Sequence, residues 1–480
     1  MITFTLCLLT LIAGYYIYGR FVERIFQPDN RPTPVLIHAD GVDYIPMPAW
    51  KIFMIQFLNI AGLGPIFGAI MGAQFGTASY IWIVVGTIFA GAVHDYVSGM
   101  LSLRHNGESL PETIGRYLGL TVKQIARVFT IILMILVGAV FVSGPAGLLA
   151  GITPKEFDSS FWIMVIFVYY MLAVLLPIDK IIGKIYPVFA FALLFMALGI
   201  LVMLFWHHPD LPELTDVLAS KKVTHPIFPM MFVSIACGAI SGFHATQSPL
   251  MARCMTSEKQ GRSIFYGAMV AEGIVALIWA AAATYFFDKN GISYQSEGKE
   301  ILYTGADVAS QISKDWLGAF GGILAILGIV AAPISTGDTA LRSARLITAD
   351  ILHLAQKSVF KRLLISIPVF LVTIGILLYS LKDKEGFNII WRYFAWSNQA
   401  LSVFTLWAIT VYLTVKNKPY WLTLISALFM TAVCVTYICI APEGFNLGDR
   451  VSHFAGSICV IISLVWFILW KKRFKINNQC

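Results

Sequence analysis

The sequence predicts an all-α membrane protein of about 13 transmembrane helices, on three observations. The chain is 58% hydrophobic and only 12% charged, too few polar groups to cover a soluble globule. Its apolar residues fall into runs of roughly 20, the length that crosses about 30 Å of hydrocarbon. Its 34 Lys and Arg residues sit at the ends of those runs and are shared unevenly between the two sets of connections, as membrane topology requires.

Taken in order, the runs lie near 1–20, 52–75, 79–103, 124–150, 160–178, 183–206, 227–250, 263–287, 316–341, 361–381, 389–414, 419–440 and 451–470. The first has no basic stretch before it, so 1–26 reads as an extra N-terminal span rather than a cleaved leader. A polar cytoplasmic loop, 27–51, separates it from five spans in 52–206. An external loop, 207–226, leads to five more in 227–414, and 415–480 supplies two final spans and a basic tail. With alternating sides, one set of connections holds most of the basic residues, from Arg20, Arg24, Arg31 and Lys51 to Lys471, Lys472, Arg473 and Lys475. The N-terminus is therefore expected outside and the C-terminus in the cytoplasm. No connection is long enough for a soluble domain, so the chemistry is expected within the membrane.

Composition also excludes several classes. The seven cysteines are scattered without a CxxC pair, which signals neither a disulfide framework nor a zinc site. The net charge of +8 is not gathered into a basic patch interleaved with aromatics, so nucleic acid is not an expected partner. The expected partners are the lipid bilayer and a small-molecule substrate; oligomeric state has no signature.

Residues 59–77, NIAGLGPIFGAIMGAQFGT, place Gly62, Gly64 and Pro65 where an uninterrupted helix would otherwise run. In hydrocarbon every backbone amide needs an internal partner, so such a break is tolerated only where protein buries it or where it lines a wet cavity. Gly64, Gly68, Gly72 and Gly76 recur every four residues and predict one close-packing helical face. The run 227–250 carries CGAISGFHATQSP, with Gly238, Gly242 and Pro249 around His244, Thr246 and Gln247. Two interrupted segments in corresponding places of two halves point to the binding site of a secondary transporter; the plainer alternative is close packing and a kink. The candidate substrate-binding residues are Asn59, Gly62, Gly64 and Gln74 at the first segment, Gly242, His244 and Gln247 at the second, and Asn398. The last lies with Gln399 in WRYFAWSNQALSVF, where neutral amides serve either a peptide-like ligand or as glue between helices.

A third irregular segment is expected at 331–339, AAPISTGDT. Ser335 and Thr336 offer oxygen ligands suited to Na⁺, and Asp338 a carboxylate for a proton or for a pairing with Arg342 four residues on. Ionisable groups inside a bilayer are costly enough to be functional hypotheses. His94 and Asp95 are adjacent within 79–103 and could relay a proton, histidine having an unperturbed pKa of about 6.5. Glu272 lies well inside its own span. Together with Ser335, Thr336 and Asp338 these form the candidate cation- or proton-coupling set. A coupling Na⁺ or H⁺ is the only cofactor expected, with no metal site. A distant alternative is an intramembrane hydrolase using Asp95 and Asp338, but a GxGD-like motif is missing where Ser-Thr-Gly precedes Asp338, so an enzyme is not expected. A channel or sensor would leave the pair of breaks unexplained.

These strings resemble a known family. AGLGPIFGAIMGAQFG, the AGAVHDY stretch, LRHNGESLPE, SGFHATQSP, YGAMVAEGIVALIW and SNQAL occur in order between about residues 40 and 415 and are similar to the carbon starvation protein CstA family. The resemblance implies an inner-membrane transporter that takes up peptides, or pyruvate, under nutrient limitation. It also implies a relation to the amino acid, polyamine and organocation transporters, with a five-plus-five inverted repeat whose first and sixth helices are unwound. Residues 52–75 and 227–250 would be those two helices. By the same resemblance a cation site lies between the first and eighth helices, with Ser335 and Thr336 as ligands. One departure stands out: many members carry a His-His pair where this chain has Ile55 and Gln56, so neither coupling ion nor substrate carries over directly. The expectation is an ion-coupled importer of small peptides working by alternating access under carbon limitation, with a pyruvate/cation symporter as the alternative.

Overall fold

A computed structural model describes residues 1–175, 182–216, 221–223, 225–296, 299–354, 358–382 and 386–477. Lys180, Lys357 and Lys384, which entered the charge comparison, and the end of the 160–178 run lie outside the described residues. The described residues are all-α apart from one short hairpin. After α1 (Ile2–Phe26) and a helical turn at Pro34–His38, α2 (Ala49–Ile60) and α3 (Gly64–Ala73) form a bent pair. There follow α4 (Ala78–Arg104), α5 (Leu110–Leu118), α6 (Leu120–Ala150), α7 (Ser159–Leu175) and α8 (Ile182–His207). The second part has α9 (Ile227–Ile235), α10 (Gly242–Ala252) and α11 (Glu258–Asn290). Strands β1 (Ser293–Ser296) and β2 (Lys299–Leu302), paired antiparallel with Ser293 opposite Leu302, precede α12 (Gly305–Leu352). The last helices are α13 (Val359–Lys382), α14 (Gly386–Val415), α15 (Trp421–Ile440) and α16 (Asp449–Asn477).

Among the described residues, ten helices are long and apolar enough to cross a membrane, or eleven with the bent pair α2–α3. The other two expected runs fall on α7, 17 residues long, and on part of α12, which turns sharply at Gly318 with φ 68°. Burial separates centre from rim. The most apolar windows of α4, α11 and α14 are each 83% buried, against 28% for α1 and 17% for α16. With apolar side chains such as Ile461 and Ile462 of α16 turned outward, the rim suits lipid and the centre holds the polar groups.

Ion pairs sort the connections into two ends. At one, the Met1 ammonium meets Glu213 at 2.6 Å, the Lys222 amide donates to the Gln74 carbonyl at 2.7 Å, and Lys222 Nζ lies 2.5 Å from Asp288. The terminal ammonium, helped by Thr3 and the Ile2 amide, holds the Glu213 carboxyl down at about 2. At the other end Glu258 binds Arg104 at 2.9 Å and accepts from the Asp29 amide at 3.0 Å, Arg262 meets Glu23 at 2.7 Å, and Lys418 donates to the carbonyls of Ile25 and Phe26. Connections that the sequence puts on the same side therefore share an end.

The break expected after Ile60 is present, and α2 and α3 meet at 56°. Pro65 has no N–H to give and disfavours helix before it. A Cβ at Gly64 would overlap Cys237, one at Gly68 would come 2.8 Å from the Ser234 carbonyl, and one at Gly72 would overlap Ile235. The glycine face thus packs on α9 and on the second break; Gly76 lies beyond α3 with φ 69°. The second break is Ala236–Ser241, ahead of His244 rather than around it, with Ser241 extended. Pro249 is accommodated inside α10. The irregularity expected at 331–339 is absent: α12 continues through Pro333, as a proline can in a membrane helix whose packed neighbours satisfy its backbone; Tyr170 and Tyr186 donate to the Pro333 and Ser335 carbonyls here.

Candidate functional site

The second break is seated on α4, which has a wide π-type turn at Gly86–Gly91. Side chains at Gly86 or Gly91 would run into Ala239, so these glycines let α4 approach the unwound backbone. Thr87 Oγ1 donates to the Gly238 carbonyl at 3.1 Å. One turn beyond Gly91 come His94 and Asp95, and the close approach brings them to His244 on α10.

The result is a chain of four side chains with no solvent exposure. His94 Nδ1 lies 2.7 Å from Asp95 Oδ1, His244 Nδ1 lies 2.8 Å from Asp95 Oδ2, and His244 Nε2 lies 3.4 Å from Glu272 Oε2 on α11. The sequence placed His94 and Asp95 together; the structure adds His244 and Glu272. An ionised Asp95 accepts from both imidazoles, which fixes a proton on each Nδ1. His244 Nε2 is then left facing Glu272, and a single proton can reside on either group without changing the charge of the chain. The last gap exceeds hydrogen-bond length, and both Glu272 oxygens lack a hydrogen-bond partner among the described residues. Chemically, such a chain can hold one proton more or fewer at its loose end, between His244 and Glu272. Among the described residues no three His, Cys, Asp or Glu groups converge so as to hold a metal ion.

The Asn398 amide and the Gln399 amide nitrogen are spent on the second break, while Gln399 Oε1 has no partner among the described residues. Asn398 Oδ1 accepts from Ser241 Oγ at 2.9 Å and from the Phe243 amide at 2.7 Å, capping α10. Its Nδ2 reaches Cys237 Sγ at 3.2 Å, and Gln399 Nε2 donates to the Ile240 carbonyl at 3.0 Å. A Cβ at Gly242 would strike the backbone of Asn398, Leu401 and Ser402, so α10 and α14 touch main chain to main chain. Gln247 gives its Nε2 to Thr246 Oγ1 at 2.9 Å, and its Oε1 has no partner among the described residues.

The first break is different. Its unwinding turns the Gly62 amide to the Ile60 carbonyl, freeing the Leu58 carbonyl that a helix would have engaged. Thr336 Oγ1 takes that carbonyl at 3.0 Å, which ties α12 to α2 and places Ser335 and Thr336 beside the break. Gly62 lies against Phe141 and Thr336. Gln56 and Asn59, both fully buried, have no hydrogen-bond partner for either amide atom among the described residues. Since α2 packs on α10, α11 and α12, these amides face the interior of the bundle. Gln74 is apart from this group, buried past the end of α3 where its carbonyl meets Lys222.

Asp338 does not pair within its own helix as the i+4 spacing to Arg342 suggested. It accepts from Tyr169 Oη at 2.8 Å and, in a short contact, from Tyr186. Arg342 turns to Asp43 at 3.3 Å and to the Ala173 carbonyl. Tyr169 and Tyr186 were missed in the sequence; the only signal was a hydroxyl on an aromatic in otherwise apolar runs. Asp95 is bonded by His94 and His244, and Asp338 by Tyr169 and Tyr186, so among the described residues the two carboxylates the sequence offered as a pair have different partners.

Comparison with known proteins agrees with this architecture. The family model described as carbon starvation protein CstA matches residues 1–155, 150–317 and 288–437. An uncharacterized membrane protein of Haemophilus influenzae is 43% identical over 60% of this chain and 92% of its own. A peptide transporter CstA of Campylobacter jejuni is 26% identical over 97% of this chain and 83% of its own. A pyruvate/proton symporter BtsT of Escherichia coli is 27% identical over 57% of this chain and 47% of its own. Among solved structures, a Na⁺-coupled sialic acid symporter superposes with a TM-score of 0.56 at 14% identity, covering 94% of this chain and 96% of its own. A manganese transporter of Eremococcus coleocola superposes with a TM-score of 0.54 at 13% identity, covering 91% and 99%. At such identities the structures bear on the fold alone.

Proposed function

Because the chain belongs to the carbon starvation protein CstA family, we propose that this multi-pass membrane protein is a secondary active transporter. It imports small peptides across the cytoplasmic membrane by alternating access, coupled to an ion, when carbon is limiting. The observation that carries this reading is the buried amide pair Gln56 and Asn59, unpartnered at the first break, on a helix packed against the two that carry His244 and Glu272. Unspent amides in a closed interior are costly, and a peptide bond supplies the donor and acceptor that they lack. Protons are the preferred coupling ion, since the chain from His94 to Glu272 can hold one more or one fewer with little movement. A Na⁺ held by the Leu58 carbonyl, Ser335 and Thr336 is the competing choice. The uneven spread of Lys and Arg supports an outside N-terminus and a cytoplasmic C-terminus.

Pyruvate is the second substrate reading, favoured by the similarity to a pyruvate/proton symporter. A carboxylate would also be drawn to the N-terminal end of α3 or α10 by the helix dipole. Uptake into proteoliposomes separates these cases: labelled dipeptide and labelled pyruvate are offered under a pH gradient and, separately, a Na⁺ gradient. Dipeptide accumulation driven by pH is the expected result. Accumulation of neither solute under either gradient would overturn the transporter reading.

A further inference from the structure

A second buried polar cluster lies at the end of the bundle that holds the 27–48 connection, away from the breaks. Asp40 Oδ1 accepts from the amides of Val42, Asp43 and Tyr44 at 2.8, 3.0 and 2.9 Å, a tight turn that pushes Asp43 inward. There the Asp43 carboxylate, 3% exposed, lies 3.3 Å from Arg342 Nη1 and 3.5 Å from Arg345 Nη2. Burial acts to raise its pKa, but the guanidinium groups of Arg345, Arg342 and Arg253 outweigh burial and hold it below the ordinary carboxylate value. Arg253 gives Nε to the Gly107 carbonyl at 2.9 Å and lies over the Tyr44 ring.

The charges do not balance. Arg345 is fully buried and Arg362 is 4% exposed, yet Nε, Nη1 and Nη2 of Arg345 and Nε and Nη1 of Arg362 have no hydrogen-bond partner among the described residues. A buried guanidinium without a counter-ion costs several kcal/mol per ion in general. Asp40 and Asp350 act on Arg253, and Asp40 on Arg362, from farther off, but among the described residues Asp43 alone is within ion-pair distance of Arg342 and Arg345. The four guanidinium groups leave donor forks whose geometry matches carboxylate or phosphate oxygens.

We propose that Arg345, Arg362 and Arg342 form a second anion-binding site, for a free carboxylate or phosphate entering from the water at that end, and that Asp43 holds its place as a tethered carboxylate. The enclosure of Arg345 favours a free oxyanion over the phosphate of a lipid headgroup. The proposal is independent of which solute crosses at the breaks.

The test is thermal unfolding of the purified full-length protein titrated with inorganic phosphate, against chloride at equal ionic strength. A ligand of the folded state raises the melting temperature by mass action. Phosphate is expected to raise it for the wild type, and Asp43→Asn, which removes the competing carboxylate, to respond at about tenfold lower phosphate. Asp43→Asn combined with Arg345→Gln is expected to lose the response. Should that protein not fold, Arg362→Gln in the Asp43→Asn background, at the more open edge of the cluster, is expected to weaken it. Absence of a phosphate-specific shift in both the wild type and Asp43→Asn would overturn the site. So would a shift produced only by phosphatidylglycerol in nanodiscs and not by free phosphate, which would assign the arginines to a lipid headgroup.

Discussion

The two interrupted helices use the same residues, glycine and proline, to opposite ends. At Ala236–Ser241 the freed groups are taken by Asn398, Gln399 and Thr87, and the backbone of α10 is pressed on that of α14 at Gly242. At Ala61–Leu63, among the described residues, only Thr336 has come in, on the Leu58 carbonyl, while Gln56 and Asn59 keep both amide atoms unpaired. An unwound segment is thus not in itself a binding site. The second break holds His244 against Asp95, and the first leaves the donors and acceptors of Gln56 and Asn59 unpaired among the described residues.

Substitutions can break this contrast, from the largest effect to the smallest. Gly242→Leu should be the most damaging, because its side chain meets backbone and cannot be repacked; loss of folded protein by size-exclusion analysis is expected, and a normal yield would disprove the close approach. Asn398→Ala removes the cap of α10 and leaves buried groups unpaired, at a cost of about 1–3 kcal/mol; a lower melting temperature is expected, with transport falling only as folded protein is lost. Asn59→Leu should do the reverse, leaving stability unchanged or raised and weakening substrate affinity about tenfold, the worth of one lost hydrogen bond. Thr336→Val should cost about 1 kcal/mol and abolish any Na⁺ dependence, read as uptake at varied Na⁺; an unchanged dependence would remove Thr336 from the cation set.

Local signals were the legible ones. Composition and run length gave the all-α membrane class, and the Gly62–Pro65 pattern located the first break, because the physics of both acts over a few residues. Partners across the fold were not legible. Asp338 meets tyrosines 169 and 152 residues away, and Arg342 reaches Asp43 across 299, so the nearer i+4 partner suggested by the sequence was displaced. The expected irregularity at 331–339 failed for a different reason: a proline in a membrane helix can stay helical when packed neighbours satisfy the backbone around it, and the tyrosines that do so, Tyr170 and Tyr186, lie far away in the chain. Ile55 and Gln56, singled out as the departure from the family, prove unlike each other. Ile55 is core, whereas Gln56 is one of the two unspent amides.

The buried chain ending at Glu272 is proposed to move a proton together with the solute bound at the first break. The direct measurement is internal pH in proteoliposomes when dipeptide is added outside, for the wild type and for Glu272→Gln, with pyruvate as a parallel arm. Solute-evoked acidification in the wild type and none in a folded Glu272→Gln protein is the predicted result. Equal acidification by both proteins would contradict it.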